Sequence, residues 1–471
     1  YDELLANQLA LVLIRNAMRG QKGRSIESDG KLRAKAIAAL PFALTDTQKQ
    51  ALAEIDADMK APLRMLRLLQ GDVGAGKTVV AFLALLSVVE AGMQGAFMAP
   101  TEILARQHMT SLEQLAQATG VRMVLLTGRE RAGREAVLHD LADGKIDILV
   151  GTHAIFQEDV AFRDLGLAVV DEQHRFGVHQ RMTLQGKGHK PVDVLVMTAT
   201  PIPRTLALTA YGDMDVSRLT GRPPGRKPVD TRLISAERID EVVTHLRNAI
   251  ARGARAYWVC PLVEESEFVD LTAAEDRAKM LREVLGSAVG LMHGRLKGPE
   301  RDAEMARFKN GETKILVATT VIEVGVDVPE ATIMVVEHAE RFGLAQLHQL
   351  RGRVGRGAAK STCLLIYSPP LGDTAKERLK TLRETDDGFI IAERDLELRG
   401  PGEVLGTRQS GLPEFRMADV AAHADLLAAA RDDAKLILAK DPELKSPRGE
   451  SLRVLLYLFE RDEAVRYLRT G

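Results

Sequence analysis

The sequence has almost no net charge, few cysteines and no long apolar run. Its 64 basic and 65 acidic residues leave a formal net charge of −1, which gives no electrostatic indication of a nucleic-acid partner. Two cysteines, Cys260 and Cys363, are too few for a disulfide framework, and no Cys/His cluster has zinc-site spacing. The longest charge-free apolar stretch, Thr78–Val89, is well short of the roughly 20 residues that span a bilayer. We therefore predict two buried thiols, a reduced cytosolic interior and no membrane partner.

The apolar residues that are present divide the chain, whose 471 residues are too many for one hydrophobic core. Short apolar runs alternate with helical stretches in two series, a pattern typical of parallel sheets covered by helices on both faces. The strands predicted from this pattern are 65–70, 95–99, 123–126, 146–150, 167–170 and 194–198 in the first series, and 256–260, 288–292, 314–319, 332–336 and 362–367 in the second. The turn-rich segment Thr220–Pro228 separates the two series.

This pattern predicts an α/β protein of four segments. They are a helical connector at 1–41, a first α/β lobe at 42–219, a second at 220–371 and a mostly helical C-terminal extension at 372–471. Within the extension we predict a Gly/Pro-punctuated loop at Arg399–Pro413 and a helix at Ala421–Asp433. Because the chain begins at Tyr1 inside a predicted helix, we expect it to be a fragment with a segment missing upstream.

A glycine-rich turn follows the first predicted strand and begins an apolar helix. Its residues, Gly71-Asp-Val-Gly74-Ala-Gly76-Lys77-Thr78, have the spacing and the strand–turn–helix context of a P-loop. The glycines let backbone N–H groups surround phosphates, Lys77 reaches the β- and γ-phosphates, and the Thr78 hydroxyl ligates Mg²⁺. The turn therefore predicts a site for a nucleotide and Mg²⁺.

Two adjacent carboxylates end the strand at 167–170. Asp171 and Glu172 come at the carboxyl end of an apolar run, which is the edge where open α/β sheets bind ligands. Asp171 would hold Mg²⁺, directly or through water, and Glu172 would orient and activate the attacking water. Since an acidic pair also caps helices, its position about 100 residues after the P-loop is what favours nucleotide hydrolysis.

Two arginines in the second series distinguish the chain from a kinase or a GTPase. Arg353 and Arg356 are three residues apart in HQLRGRVGRG and can face one site. Guanidinium groups supplied by a second lobe act as arginine fingers on a transferred phosphoryl group. The alternative is a basic, Gly-punctuated helix end that only binds anions.

The motifs of residues 42–413 resemble those of superfamily 2 helicases and occur in the same order along the chain. The resemblance implies two RecA-like P-loop lobes in tandem, with ATP and Mg²⁺ as cofactors. It adds Phe42, Thr45, Gln48 and Asp327 to the expected nucleotide site, through FALTDTQKQ and TTVIEVGVD. The residues expected to bind DNA or to couple hydrolysis to movement are Thr101, Thr152, His153, Thr198, Thr200, Thr320, Arg399 and Gln409.

Finer details resemble the RecG and transcription-repair-coupling translocase branch. They are DEQHRFG at 171–177, ATPIPRT at 199–205 and the segment from Asp386 to Gly411, which is similar to the translocation hairpin and loop of both families. The continuation LPEF at 412–415 resembles RecG. No all-β wedge module is visible in this sequence, so the family's fork-recognition residues have no counterpart here.

This resemblance implies a monomeric, ATP-dependent DNA translocase of the bacterial cytoplasm and nucleoid. It would remodel replication forks, Holliday junctions and duplex arms in repair and recombination, with the single-stranded-DNA-binding protein as a candidate partner. From the residues present we expect weak ATP hydrolysis and a poor response to forks.

Three alternatives stay open at this point. The nearest is a transcription-repair-coupling translocase, which pushes RNA polymerase instead of remodelling forks. An RNA helicase lacks the loop similar to 386–411, and a P-loop scaffold without turnover does not need Glu172 or the two arginines.

Overall fold

The computed structural model describes residues 1–19, 23–128, 133–157, 159–171, 191–198, 201, 203, 214–221, 227–261, 267–296, 298–319, 328, 330–355, 357, 359–405, 415–419 and 422–461, with side chains for all of these except 17–19, 267–272 and 399–405. The chain divides into two compact units. Unit 1 comprises Tyr1–Gly71, Ala75–Thr220 and Arg399–Gly471, and unit 2 comprises Asp72–Gly74 and Gly221–Leu398.

Helices and strands alternate along most of the described chain. The helices are α1 (Asp2–Arg19), α2 (Lys31–Ala39), α3 (Asp46–Lys60), α4 (Lys77–Glu90), α5 (Glu102–Thr119), α6 (Arg134–Ala142), α7 (Ile239–Ala251), α8 (Glu267–Leu285), α9 (Gly298–Asn310), α10 (Leu344–Arg351), α11 (Asp373–Glu384), α12 (Gly388–Leu405), α13 (Ala424–Lys440) and α14 (Pro447–Leu458). The strands are β1 (Leu66–Gly71), β2 (Gln94–Met98), β3 (Met123–Leu126), β4 (Ile148–Gly151), β5 (Leu165–Asp171), β6 (Asp193–Thr198), β7 (Asp215–Leu219), β8 (Val229–Ser235), β9 (Arg255–Val259), β10 (Val289–Met292), β11 (Ile315–Ala318), β12 (Ala331–Val336) and β13 (Ser361–Tyr367).

Each unit contains one parallel sheet, which confirms the predicted α/β fold. In the described residues the unit 1 sheet has the order β3-β4-β2-β5-β6-β1-β7, and the unit 2 sheet has the order β10-β11-β9-β12-β13-β8. Every strand pair in both sheets is parallel. All the predicted strands are present close to their predicted bounds.

Two strands, β7 and β8, were not predicted. Each lies at one edge of its sheet, on either side of the turn-rich segment 220–228. Their sequences, DVSRL and VDTRLIS, mix charged and apolar residues because an edge strand is only partly covered. The prediction relied on continuous apolar runs, which mark strands buried on both faces, and so it missed these edges.

The central strands of unit 1 are buried on both faces. On one face, Leu69 and Met197 pack in the same cluster as Phe82 of α4, and on the other, Leu68 packs with Val196. All five side chains are fully buried. Burial stabilises each by roughly 1.5–3 kcal/mol relative to exposure, so these strands hold their ends in place for the loops that follow.

The two ends of the described chain pack together in unit 1. Helix α1 contributes Leu4 and Leu9, and helices α13 and α14 contribute Leu427, Leu438 and Leu456 to one buried cluster. The predicted connector and the predicted C-terminal extension therefore share a core, a contact that links residues more than 400 positions apart.

Glu3 secures one side of this cluster. Its carboxylate accepts hydrogen bonds from the backbone N–H groups of Arg416, Met417 and Ala418, at 2.5, 2.9 and 2.8 Å. Burial alone would raise the pKa of Glu3, but these three hydrogen bonds and the positive charge of Arg461 together lower the pKa. The charged carboxylate thus fixes residues 416–418 to α1.

Two C-terminal predictions need correction. The loop predicted from Arg399 is wrong for its first residues, because α12 continues through Gly-Pro-Gly to Leu405, while 406–414 lie outside the described residues. Intrinsic propensity, on which that prediction depended, is a weak guide to where a helix ends. The helix predicted at 421–433 instead runs to Lys440, since Ala434 and Leu438 extend its buried face.

The prediction of two buried thiols is confirmed. Cys260 and Cys363 are free and buried, and burial raises the pKa of the Cys363 thiol to about 12. Among the described helices, none combines the length and the apolar character needed to cross a membrane.

Asp193, the first residue of β6, carries a buried carboxyl group. It lies at the amino end of the strand, and Thr198 lies at the carboxyl end. Asp193 is 4% exposed, and its Oδ1 accepts a 2.8 Å hydrogen bond from the backbone N–H of Met65. Burial raises the pKa of Asp193 from 3.8 to about 7, although that hydrogen bond and the positive charge of Arg24 oppose the rise. In the folded state the group therefore keeps its proton at pH values where the unfolded chain has lost it.

We predict that Asp193→Asn stabilises the protein above neutral pH. The pKa of Asp193 is raised in the folded state. Its contribution to the free energy of unfolding is therefore fully present below about pH 4 and is lost as pH rises to about 7. The difference between the folded and unfolded pKa values corresponds to at most about 4 kcal/mol of stability. The amide oxygen that Asp193→Asn introduces can still accept the hydrogen bond from the Met65 N–H. Urea unfolding at pH 5 and pH 8 measures the effect. Asp147→Asn, at a partly exposed carboxylate, is the control. An Asp193→Asn variant that follows the wild-type pH profile contradicts the prediction.

Candidate functional site

The P-loop joins the buried strand β1 to the apolar helix α4. Gly74 and Gly76 have φ angles of 78° and 85°, a region that favours glycine. At Gly76 a Cβ would also lie 2.3 Å from Nε2 of Gln48, so a larger residue would displace the Gln48 amide from its position. The backbone conformation therefore favours glycine at both positions, and at Gly76 the contact with Gln48 adds to this preference.

Gln48 supports the P-loop from α3. Thr45 and Gln48 form a capping box, in which the Thr45 side chain accepts from the Gln48 N–H and the Gln48 Oε1 accepts from the Thr45 N–H. The Gln48 Nε2 donates to the carbonyl oxygen of Ala75 at 2.8 Å. The buried amide thus ties the start of α3 to the loop. Phe42, three residues before the cap, is 42% exposed.

Lys77 and Thr78 begin α4. The Lys77 ammonium is buried and donates to the carbonyl oxygen of Gly71 at 2.7 Å, across the loop. Thr78 follows it in the first turn of the helix and is partly buried. Both side chains therefore lie at the helix N-terminus, where backbone N–H groups and the helix dipole favour phosphate.

Asp171 ends β5 as predicted, and a histidine that the prediction missed holds it. The His108 Nε2 lies 2.7 Å from the Asp171 Oδ2, and both side chains are largely buried. The His108 ring packs against Phe97 of β2, with ring centroids 4.7 Å apart. The sequence contained one signal that could have identified His108: it is a polar residue on the apolar stripe of α5, between Ala105 and Leu112.

Register brings the predicted residues of unit 1 to one edge of the sheet. Strands β5, β6 and β1 are neighbours, with Asp171 opposite Met197 and Thr198 opposite Gln70. Asp171, Thr198 and Gly71, where the P-loop begins, therefore all lie at the carboxyl ends of adjacent strands. This is the edge at which open α/β sheets bind ligands.

Gln70 is an unusual residue at this edge. It is fully buried, and among the described residues neither atom of its amide has a hydrogen-bond partner. A buried polar group without a partner costs about 1–3 kcal/mol, and none of the described residues offsets this cost for the Gln70 amide.

The other predicted contacts of unit 1 lie at loop positions. Thr101 is the N-cap of α5, where its hydroxyl accepts from the Leu104 N–H at 3.3 Å. Thr152 is buried directly after β4, and His153 begins a short 3₁₀ turn with its side chain exposed. Their roles toward DNA stay predictions.

In unit 2, Arg353 follows the end of α10 and is partly buried. Its neighbour Arg351, for which no role was predicted, is buried and donates to the carbonyl oxygens of Leu382 and Thr385, at 2.6 and 2.9 Å, and to Asp386. Arg351 therefore fixes the end of α10 to α11. The finger role of Arg353 stays a prediction.

Several predicted site residues lie outside the described residues. They are Glu172, Thr200, Thr320, Asp327, Arg356 and Gln409. Arg399 lies in α12, with only its backbone described.

The oxygen donors fit Mg²⁺ carried by a nucleotide. The described residues contain no group of three or more His, Cys, Asp or Glu side chains that could hold a metal ion alone. Mg²⁺ usually takes one or two protein oxygens together with phosphates and waters. The Thr78 hydroxyl and the Asp171 carboxylate have that character.

Comparisons with known proteins fit this geometry. Three family models match: DEAD/DEAH box helicase at residues 45–209, helicase conserved C-terminal domain at 237–358, and ATP-dependent DNA helicase RecG, domain 3, C-terminal at 385–461. The ATP-dependent DNA helicase RecG of Bacillus subtilis is 48% identical over 457 residues, covering 96% of this chain and 67% of that protein. The chain belongs to the RecG family. The RecG of Acidithiobacillus ferridurans is 50% identical over 444 residues, and this chain spans 65% of its length.

Solved structures are similar as well. A RecG bound to a three-way DNA junction matches with 45% identity and a TM-score of 0.75, covering 91% of this chain and 56% of that one. Yeast (S. cerevisiae) Dbp5 bound to RNA and ADP BeF3 matches with 18% identity and a TM-score of 0.56, over 76% of this chain and 91% of that one, which shows a shared fold alone.

We predict that Gln70→Met raises the free energy of unfolding by about 1–3 kcal/mol, because it removes two buried polar atoms that no described residue pairs with, at nearly constant volume. Urea unfolding measures the change. Gln50→Met on the exposed face of α3 is the control, expected to stay within about 0.5 kcal/mol of wild type. A less stable Gln70→Met variant would show that the amide is paired after all.

Proposed function

We propose that the chain is the motor region of an ATP-dependent DNA helicase that remodels branched DNA. One observation carries the proposal: a P-loop, Asp171 and Thr198 share one sheet edge in a chain that is about half identical to RecG helicases over nearly its whole length. DNA forks, Holliday junctions and duplex arms are the proposed substrates. The single-stranded-DNA-binding protein is a proposed partner, and we propose a monomer of the bacterial cytoplasm and nucleoid.

The proposed mechanism begins with ATP on the P-loop. Backbone N–H groups at the start of α4 bind the phosphates, and the Lys77 ammonium lowers the energy of negative charge that develops during phosphoryl transfer. Thr78 and Asp171 would hold Mg²⁺, which neutralises phosphate charge when bound. Glu172 would orient the attacking water. Gln48, tied to Ala75, keeps the loop in its binding conformation.

The remaining parts of the mechanism concern coupling. Arg353 and Arg356 of the second lobe would stabilise the transition state, and Phe42 and Asp327 would contact the nucleotide. Thr101, Thr152, His153, Thr198, Thr200 and Thr320 would link DNA contact to hydrolysis. Arg399 and Gln409 would transmit lobe movement to duplex DNA. We further propose the lobes at 42–219 and 220–371, with the connector at 1–41 and the extension at 372–471.

The transcription-repair-coupling alternative is not favoured. The matching model of residues 385–461 is described as RecG domain 3, and the curated relatives over most of the chain are RecG helicases. The other alternative is an RNA helicase, and comparing the stimulation of ATP hydrolysis by DNA and by RNA distinguishes it from a DNA helicase.

The test compares ATP hydrolysis with a DNA fork, linear duplex DNA, single-stranded DNA and RNA at one salt concentration. We expect duplex-containing DNA to stimulate hydrolysis and RNA of equal length to have little effect. Lys77→Ala should lower the stimulated rate on the order of 100-fold, because a charge that stabilises the transferring phosphoryl group is lost. Lys49→Ala, on the exposed face of α3, is the control. Equal stimulation by RNA, or normal turnover of Lys77→Ala, would contradict the proposal.

Arg353→Ala should lower the rate of hydrolysis by about 10³-fold while nucleotide affinity changes much less, because an arginine finger acts on transition-state charge. Arg353→Lys should restore little, since an ammonium lacks the planar fork of guanidinium. Arg341→Ala, at an exposed arginine of the same unit, is the control. Single-turnover hydrolysis and fluorescent-nucleotide titration measure the two quantities. A parallel fall of rate and affinity would mark Arg353 as a binding group.

A further inference from the structure

His108 occupies a position that packing alone would give to an apolar residue. The buried face of α5 carries Ala105, Leu112 and Leu115, and His108 lies on the same stripe at helical spacing. Its ring contacts Phe97, which is fully buried in β2. A histidine here loses hydration without gaining more apolar contact than phenylalanine would.

The compensation for this cost is the hydrogen bond to Asp171. A carboxylate only accepts, so the His108 Nε2, 2.7 Å away, donates to Oδ2. Among the described residues, His108 supplies the side chain that hydrogen-bonds to Asp171. The hydrogen bond therefore engages one of the two carboxylate oxygens, Oδ2.

We propose that His108 is the positioning residue of the metal-binding carboxylate. By binding Oδ2 it restrains the Asp171 side chain, so that the carboxylate would be held ready for the Mg²⁺ of a bound nucleotide. This inference rests on the proposed function, in which Asp171 holds Mg²⁺ at the P-loop. Partners of this kind orient metal ligands, and their loss typically costs about 10- to 100-fold in metal affinity.

A purely structural role makes different demands on the side chain. If His108 only docks α5 on β2, the aromatic ring matters and the N–H group does not. If it positions Asp171, the N–H group matters most. His108→Phe keeps the ring and removes the donor, whereas His108→Gln loses the ring and keeps an N–H donor at a similar reach from the backbone.

The experiment measures the affinity of a fluorescent ADP analogue in excess Mg²⁺ and in EDTA, without hydrolysis. The ratio of the two affinities is the metal-dependent gain. His108→Phe should reduce this gain by about 10-fold or more, or abolish it, and leave the affinity in EDTA unchanged. His108→Gln should retain more of the gain than His108→Phe. His139→Phe, at an exposed histidine of unit 1, is the matched control, and thermal melting checks the folding of every variant.

Asp171→Asn separates the two proposals. If Asp171→Asn removes the gain and His108→Phe keeps it, His108 does not position the carboxylate, and the nucleotide site still stands. If Asp171→Asn keeps the full gain, the assignment of the metal site under the proposed function is wrong. An equal loss of affinity in EDTA for His108→Phe, or a weaker gain in His108→Gln than in His108→Phe, would assign His108 to structure alone.

Discussion

Burial of parallel strands on both faces is the constraint on which the rest of this structure depends. A strand covered by helices on both sides must be apolar along its length, and its backbone groups must pair with neighbouring strands. The polar and charged side chains of a binding site therefore lie at the strand ends. In unit 1 this brings the P-loop after β1, Thr198 at the end of β6 and Asp171 at the end of β5 to one edge, because the three strands are adjacent and parallel.

Three polar residues of unit 1 show how specific partners hold polar groups inside this framework. Gln48 donates to the P-loop carbonyl of Ala75, His108 donates to Asp171, and Glu3 accepts from the three backbone N–H groups of residues 416–418. A buried polar group without such a partner is costly, and Gln70 is a buried amide beside the candidate site for which the described residues supply none. Strained or unpaired groups are tolerated most often where function requires them.

Several elements were accessible to prediction because their signals are local. A P-loop has a fixed spacing and requires glycine at Gly76, and an apolar run of strand length predicts a buried strand. The acidic residue at the end of β5 was found in the same way. The edge strands β7 and β8 were missed because partial exposure removes the apolar run. The continuation of α12 to Leu405 was missed because its Gly-Pro-Gly sequence favours a loop.

The sequence by itself determined the two parallel sheets, the family and the identity of the P-loop and of Asp171, since each depends on residues close together in the chain. Only the tertiary structure decided that His108 holds Asp171 across 63 positions, and that α1 shares a core with α13 and α14. Such pairings depend on strand order and helix docking. Those are set by the summed burial of many side chains, and no local pattern records which distant residue a polar group will meet.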